Sequence, residues 1–348
     1  MGIPVKLPDA REMIERCLKV NLVPFLRGSP ACGKSSLFHQ IAEDYNLKMV
    51  DVRLAAAEPP DLNGYPDINK TKTKAGYLPM DTFPVEGDEL PTNPKTGKKY
   101  SGWLILLDEL PLADPDVLKA VYKLLLDKQV GQYQLHDKVA IAAAGNLVSD
   151  NAMVADMDNT ALASRMVHME MMIDHVSWLA WARANNIDHR ITSYISWKPD
   201  MLFKFDPESD DDTFAAPRTW EFTSRLIKDR PTLGNLDKII LSGTISEGVA
   251  REFVAFTAME KDLPNLDQIL KSPNTVPVPK EPSVLFMLTG WLGVNATVDN
   301  IGPLMQYVSR IAKEFQMIAM KEIFHRTPKI KKTSAVEDWV LQNANDLY

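Results

Sequence analysis

Residues 28–35 read Gly28-Ser29-Pro30-Ala31-Cys32-Gly33-Lys34-Ser35. The spacing is that of a glycine-rich loop closing on a lysine and a hydroxyl, G-x-x-x-x-G-K-[ST]. Glycines let the backbone curl so that several N–H groups point at phosphate oxygens. A helix opening behind the loop adds partial positive charge. In that setting Lys34 reaches the β- and γ-phosphates of a nucleotide, and Ser35 offers its hydroxyl to Mg²⁺. Residues Gly28, Ser29, Pro30, Ala31, Cys32, Gly33, Lys34, Ser35 and Ser36 are therefore the expected nucleotide contacts. Leu22 to Leu26 before the loop reads as a strand, and Ser36 onward as a helix, which is the strand–loop–helix context the motif requires. Cys32 could act as a redox brake; a small side chain that fits the loop is the favoured reading, because no resolving cysteine is near in sequence.

Working outward, four more short apolar runs follow: Met49 to Val52, Trp103 to Leu107, Val139 to Ala144 and Val167 to Met171. Nearly continuous apolar runs are expected of strands buried on both faces. Pro24 is awkward within the first, since proline cannot donate to a ladder. Helical patterns separate several of the runs: Leu37 to Tyr45, then Pro115 to Leu126 with Asp114 as N-cap and Pro115 at the first helical position. Alternation of this kind predicts a three-layer α/β domain on a mainly parallel sheet.

The third run ends in two carboxylates, Asp108 and Glu109. Beside a phosphate loop, Asp108 is placed to complete a Mg²⁺ shell and Glu109 to polarise the attacking water; the bland alternative is a helix cap or surface pair. Asn146 follows the fourth run. Its neutral amide can hold water or the γ-phosphate, and otherwise it is part of a Gly145-Asn146 turn.

Between the second and third strands lies a long Pro-, Gly-, Asp- and Lys-rich stretch from Ala55 to Gly102, functional or mobile by its length. After Met171 the pattern turns helical: Trp178 to Asn185, Pro217 to Lys228, Glu247 to Glu260 and Pro303 to His325, broken by an acidic turn from Asp206 to Thr213. In the last segment Leu304, Val308, Ile311, Phe315 and Ile318 recur at helical spacing, the pattern of a core face.

With 348 residues, 45% hydrophobic and 24% charged, the chain has an ordinary globular composition and room for two or three domains. No apolar run is long enough for a membrane span. Met1 to Lys6 lacks a signal-peptide core, and Lys6 stands where myristoylation needs Ser or Thr. Two cysteines make no disulfide framework, so a cytoplasmic location is expected. A net charge of -7 disfavours global attraction to nucleic acid. The basic cluster of Arg326, Lys329, Lys331 and Lys332 reads as a solvated surface. The six histidines lack metal-ligand spacing.

Together these residues resemble the AAA+ superfamily, and within it the MoxR-type ATPases, including CbbQ/CobS-like and phage-encoded relatives. Walker A is Gly28 to Ser35, Walker B is Leu104 to Glu109, and Asn146 resembles sensor 1. Thr160-Ala161-Leu162-Ala163-Ser164-Arg165-Met166 resembles the arginine-finger segment, and Ala216-Pro217-Arg218-Thr219 the sensor 2 segment. Glu58 to Gly64 is similar to the stretch these ATPases carry after their second strand. The likeness spans roughly residues 20 to 230. It implies a core of five parallel strands ordered 5-1-4-3-2, a helical lid, and a ring, commonly a hexamer. It also implies ATP and Mg²⁺ as ligands, with Arg165 completing the site of a neighbouring copy. Alternatives are a surface salt bridge for Arg165 and a helix-start charge for Arg218. Insertions near residues 70–99 line the pore or touch the client in this family, with Tyr77, Leu78 and Phe83 as candidate contacts; an exposed variable loop is the other reading.

The expected division is an α/β nucleotide-binding core at 1–172, the start of a helical lid with Arg218 at 173–235, and further lid or C-terminal helices at 236–348. The expected function is an ATP-hydrolysing ring that remodels a protein client, with a von Willebrand factor A domain protein as the partner the family implies. A nucleic-acid motor or clamp-loader-like ATPase is the alternative, disfavoured by the acidic balance. A non-hydrolysing scaffold is disfavoured by Glu109 and Asn146, and a small-molecule kinase by the lack of an acceptor-site domain.

Overall fold

A computed structural model describes residues 4–70, 73–147, 160–209 and 211–343. The chain divides into two compact units, Met1–Ile173 and Asp174–Tyr348.

The first unit is built on a six-stranded parallel sheet. Its strands are β1 (Pro4–Val5), β2 (Val23–Arg27), β3 (Leu47–Arg53), β6 (Gly102–Asp108), β9 (Val139–Gly145) and β10 (Met166–Met171), in the order β1-β10-β2-β9-β6-β3. Counting only the five strands expected from sequence, this is the order 5-1-4-3-2. The short β1 adds a sixth strand beside the fifth. Two residues are too few to leave an apolar pattern, which is why sequence reading passed over it.

Period-two alternation sorts the side chains into two layers. Leu104 and Leu106 join Leu26, Ala142 and Met169 on the face covered by α1 (Leu7–Lys19) and α2 (Lys34–Asp44). Trp103, Ile105 and Leu107 join Phe25, Val50 and Ile141 on the face covered by α3 (Pro59–Asn63) and α4 (Pro115–Asp127). Both faces being covered, the strands read as continuous apolar runs. Asp114 caps α4 by accepting from the Asp116 amide at 2.8 Å, with Pro115 at the first helical position.

Pro24 is accommodated by register. The Gly28 amide donates to Gly145 O, so even-numbered residues of β2 turn their polar groups toward β9. Pairing with β9 begins only at Phe25. The missing N–H therefore lies outside that ladder.

The long stretch after β3 is partly ordered. It carries α3, an antiparallel hairpin of β4 (Tyr65–Ile68) and β5 (Ala75–Leu78), and an antiparallel bridge of Thr92 with Lys99. A second small hairpin, β7 (Gln129–Val130) with β8 (Tyr133–Gln134), follows α4. Tyr77 and Leu78 are exposed on β5. Phe83, expected as a client contact, is instead 3% exposed and belongs to the core under α4. Its surroundings are apolar, so burial won over surface display.

The second unit is helical. It comprises α6 (His175–Ala184), α7 (His189–Trp197), α8 (Pro217–Ile227), α9 (Asn235–Ile245), α10 (Glu247–Thr257), α11 (Leu266–Lys271), α12 (Pro282–Asn295), α13 (Ile301–Val308), α14 (Lys313–Arg326) and α15 (Ser334–Gln342); α5 (Thr160–Ala163) precedes β10 in the first unit. The single helical pattern expected over 303–325 is two helices. Gln316 donates to Ser309 O and Ile311 O, satisfying carbonyls at the end of α13 while α14 turns back. Leu304, Val308, Ile311 and Phe315 are buried across the break.

Candidate functional site

The site lies at the carboxyl ends of β2, β6 and β9, where open parallel sheets bind ligands. From the end of β2 the chain curls through residues 28–33 into α2. Gly33, at φ 103°, is the residue before the first turn, in a conformation that side-chain-bearing residues rarely adopt. Ala31 takes a left-handed φ of 57°. No side chain caps the start of α2, and its first turn holds no acid. The partial positive charge of that turn is therefore not offset by an acid and is open to an anion.

Lys34 opens α2 and is 7% exposed. Its ammonium donates to Gly28 O at 2.8 Å, to Ser29 O at 2.9 Å and to Asn146 Oδ1 at 2.9 Å. One residue on, the Ser35 hydroxyl donates to Asp108 Oδ2 at 2.6 Å. The loop, the end of β6 and the end of β9 thus converge through two side-chain bonds between residues distant in sequence. Hard oxygen donors of this kind, a hydroxyl beside a carboxylate, suit Mg²⁺.

Asp108 also accepts from the Glu109 amide at 2.9 Å through Oδ1. Glu109 takes a left-handed φ of 58° at the start of the turn Leu110–Leu112. Such strain in a residue other than glycine persists only where the surroundings hold it. Gly145 supplies part of that hold: a Cβ there would lie 2.4 Å from Pro111 Cδ. A bare glycine lets the turn after Glu109 pack onto β9 directly beside Asn146.

Cys32 is buried in the loop, and its sulfur lies 3.8 Å from the Lys34 ammonium. Burial pushes the thiol up, with Lys34 opposing. A thiol held protonated is a poor nucleophile, in keeping with a small side chain that packs.

Arg165 stands apart from these groups within the first unit. It directly precedes β10, whose Met166 pairs with Val23, the first residue of β2. The phosphate loop leaves the other end of β2. At about 3.3 Å per strand residue the separation is about 16 Å. Arg218 belongs to the second unit, exposed at the second position of α8. Among the described residues it has no ion-pair partner; Asp210, one of the acids expected near it, lies outside them. Ser36 occupies the first turn of α2 with Lys34 and Ser35.

Two arginines not singled out from sequence end strands at the same edge. Arg53 is in register with Asp108, and Arg27 with Gly145 and Glu170. The Arg27 Nε is buried without a partner among the described residues. A cation closing an apolar strand was the available signal for both.

No family model matches the chain, and no curated protein matches it. Solved structures similar to it include the Thermotoga maritima RuvB Holliday junction branch migration motor, at 12% identity and a TM-score of 0.35, covering 76% of this chain and 74% of that one. A putative ATPase from Cytophaga hutchinsonii is similar at 14% identity and a TM-score of 0.35, covering 92% and 85%. NtrX from Brucella abortus is similar at 10% identity and a TM-score of 0.34, covering 98% and 69%. At these values the likeness is partial and carries no chemistry over to this chain.

Proposed function

We propose that this chain is an AAA+ ATPase, of the MoxR-like kind, that hydrolyses ATP as a ring and uses the energy to remodel a protein partner. The observation that carries the reading is the convergence of Lys34, Ser35, Asp108 and Asn146 at the carboxyl edge of a sheet ordered 5-1-4-3-2.

In this reading the amides of the loop and of the first turn of α2 bind the phosphates, and Lys34 binds the β- and γ-oxygens. Ser35 and Asp108 hold Mg²⁺, which when bound neutralises charge on the phosphates. Glu109 accepts a proton from the attacking water, while Asn146 orients it through a neutral amide. Gly28 to Ser36 form the nucleotide pocket as a whole. Arg165 precedes β10, at the end of the sheet opposite its own loop, which supports service to a neighbouring copy: a guanidinium supplied in trans stabilises the transferring phosphoryl group. Arg218 acts as the lid's sensor of the nucleotide. The lid is taken as 173–235, with 236–348 as its completion and a further helical region. Exposed Tyr77 and Leu78 on the β4–β5 hairpin supply the client contact, the client being a protein such as one with a von Willebrand factor A domain. A hexamer in the cytoplasm is the expected working form.

The test is subunit mixing. Lys34→Ala alone abolishes nucleotide binding, and Arg165→Ala alone binds nucleotide with little turnover. Mixed, the two restore part of the hydrolysis, because a ring then contains sites with an intact loop facing an intact finger. Absence of recovery at every mixing ratio, in samples that sediment as rings, would remove the shared site.

A further inference from the structure

β3 is an edge of the sheet, with β6 on one side and, among the described residues, no strand on the other. Its hydrogen-bonding sense follows from one bond. The Trp103 amide donates to Lys138 O at 3.1 Å, so odd-numbered residues of β6 face β9 and even-numbered residues face β3. Met49 is in register with Leu104. Lys48, Val50 and Val52 then turn their peptide groups inward to β6, and Leu47, Met49 and Asp51 turn theirs outward. Among the described residues no hydrogen bond reaches the outward peptide groups of Met49 or Asp51.

Alongside this edge lies a cleft of about 560 Å³, within the range of ligand clefts, roughly 300–1,000 Å³. Its floor is apolar: Ala42 from α2, with Leu47 and Met49 from β3 itself. The far wall is the turn of residues 93–100, pinned to the end of α2 by Asn93 donating to Asn46 at 2.9 Å and Asn46 donating to Lys99 O at 3.0 Å. The wall is therefore braced, and the cleft is built.

The residues lining the cleft carry two ammonium groups, Lys95 and Lys98, and one carboxylate, Glu43. Lys95 is paired with Glu43 at 2.8 Å, and His39 stands 3.5 Å from Asp51. Lys98 lines the cleft with no ion-pair partner among the described residues. An unspent ammonium beside an apolar floor and an open strand edge defines one kind of occupant.

We infer that the β3 edge takes an extended, acidic segment of a partner protein as an added strand, its main chain bonding to Met49 and Asp51 and an acidic side chain reaching Lys98. In strand addition the main chain supplies affinity and alternate side chains supply selectivity. Side chains of the added strand on the α2 face would enter the cleft over Leu47 and Met49, because paired residues share a face. β3 carries no proline or glycine to disrupt such pairing, and Asp51 and Arg53, its exposed charges on this face, sit toward its far end.

The test uses the full chain and a fluorescein-labelled (Val-Thr-Glu-Thr)2 peptide, whose valines and glutamates share one face of a strand, followed by anisotropy, with (Val-Thr-Lys-Thr)2 as the control. Saturable binding of the acidic peptide and none of the basic one is expected. Met49→Pro removes one outward donor while keeping both inward bonds, and weakens binding roughly five- to tenfold. Lys98→Glu weakens it at least about fivefold without touching the strand. Both variants keep the wild-type rate of ATP hydrolysis, which reports that the sheet is intact. No saturable binding, equal binding of the two peptides, or unchanged affinity in both variants would overturn the inference. So would a concentration-dependent dimer abolished by Met49→Pro in the absence of peptide, since the edge would then belong to a second copy.

Discussion

In the first unit the buried ammonium of Lys34 meets loop carbonyls and the Asn146 amide at the open ends of strands. In the second unit Glu322, 1% exposed, is held by Arg183 at 2.6 Å and by Arg326 at 3.4 Å in the interior between helices. Both clusters join residues far apart in sequence, and both bury charge. They differ in where the polar atoms end. The first sits where a parallel sheet stops, so its donors and acceptors can be handed to a ligand. The second is enclosed, its charges spent on one another, and Arg326 also donates to Ile187 O at 3.0 Å. Position relative to the ends of the elements, more than burial or charge, separates a chemical site from a structural one.

The comparison can be broken most sharply at Glu109. Glu109→Gln lowers turnover by about 10²- to 10⁴-fold while nucleotide affinity and thermal unfolding stay near wild type. Phosphate release and labelled-nucleotide anisotropy measure the two; turnover at the wild-type rate would take Glu109 out of the site. The converse holds for Glu322. Removing it strands the buried guanidinium of Arg183 and takes an ion-pair partner from the half-buried Arg326, so Glu322→Ala costs about 3–5 kcal/mol of stability. A loss below about 1 kcal/mol in denaturant unfolding, on the same scale, would mean the cluster is solvated and the contrast drawn above is wrong.

A smaller effect concerns His189, whose Nε2 is buried without a partner among the described residues. Burial lowers its pKa to about 4, with Asp188 opposing, Arg190 and Arg326 adding to the lowering, and Glu322 opposing. The folded value is below the unfolded one, 6.5. The unfolded chain therefore takes the proton first. The contribution to stability is complete above about pH 6.5 and is lost as pH falls toward about 4, to a total on the order of 3 kcal/mol. Unfolding midpoints measured across that window should flatten in His189→Gln; an unchanged slope would assign the acid sensitivity to other groups. The smallest effect is at Cys32. Its protonated, buried thiol should alkylate slowly at neutral pH, and Cys32→Ala should change nucleotide affinity by less than about threefold. Rapid modification there would reopen the redox reading.

Legibility from sequence followed the same division. Five strands of the parallel sheet were readable because burial on both faces leaves unbroken apolar runs such as Trp103 to Leu107. The phosphate loop was readable because glycine, lysine and hydroxyl at fixed spacing are a local requirement. In the second unit the buried ion pair of Arg183 and Glu322 left no trace, since neither residue has a neighbour in sequence that calls for it. The break between α13 and α14 was missed because no proline or glycine marks it; a side chain, Gln316, closes the first helix instead. Phe83 was misjudged because an aromatic residue in a polar stretch looks exposed until α4 is laid over it.

By itself the sequence determined that a phosphate loop stands between a strand and a helix, that Asp108 and Glu109 end another strand, and that Asn146 ends a third. Those are properties of single segments, set by local spacing and by which residues tolerate burial. Only the tertiary structure decided that the three ends meet, with Ser35 on Asp108 and Lys34 on Asn146. Strand order and register are non-local: they depend on which apolar faces pack together, and no segment carries that information alone. The same register turned Met49 and Asp51 outward on β3, a consequence no reading of residues 47–53 could supply.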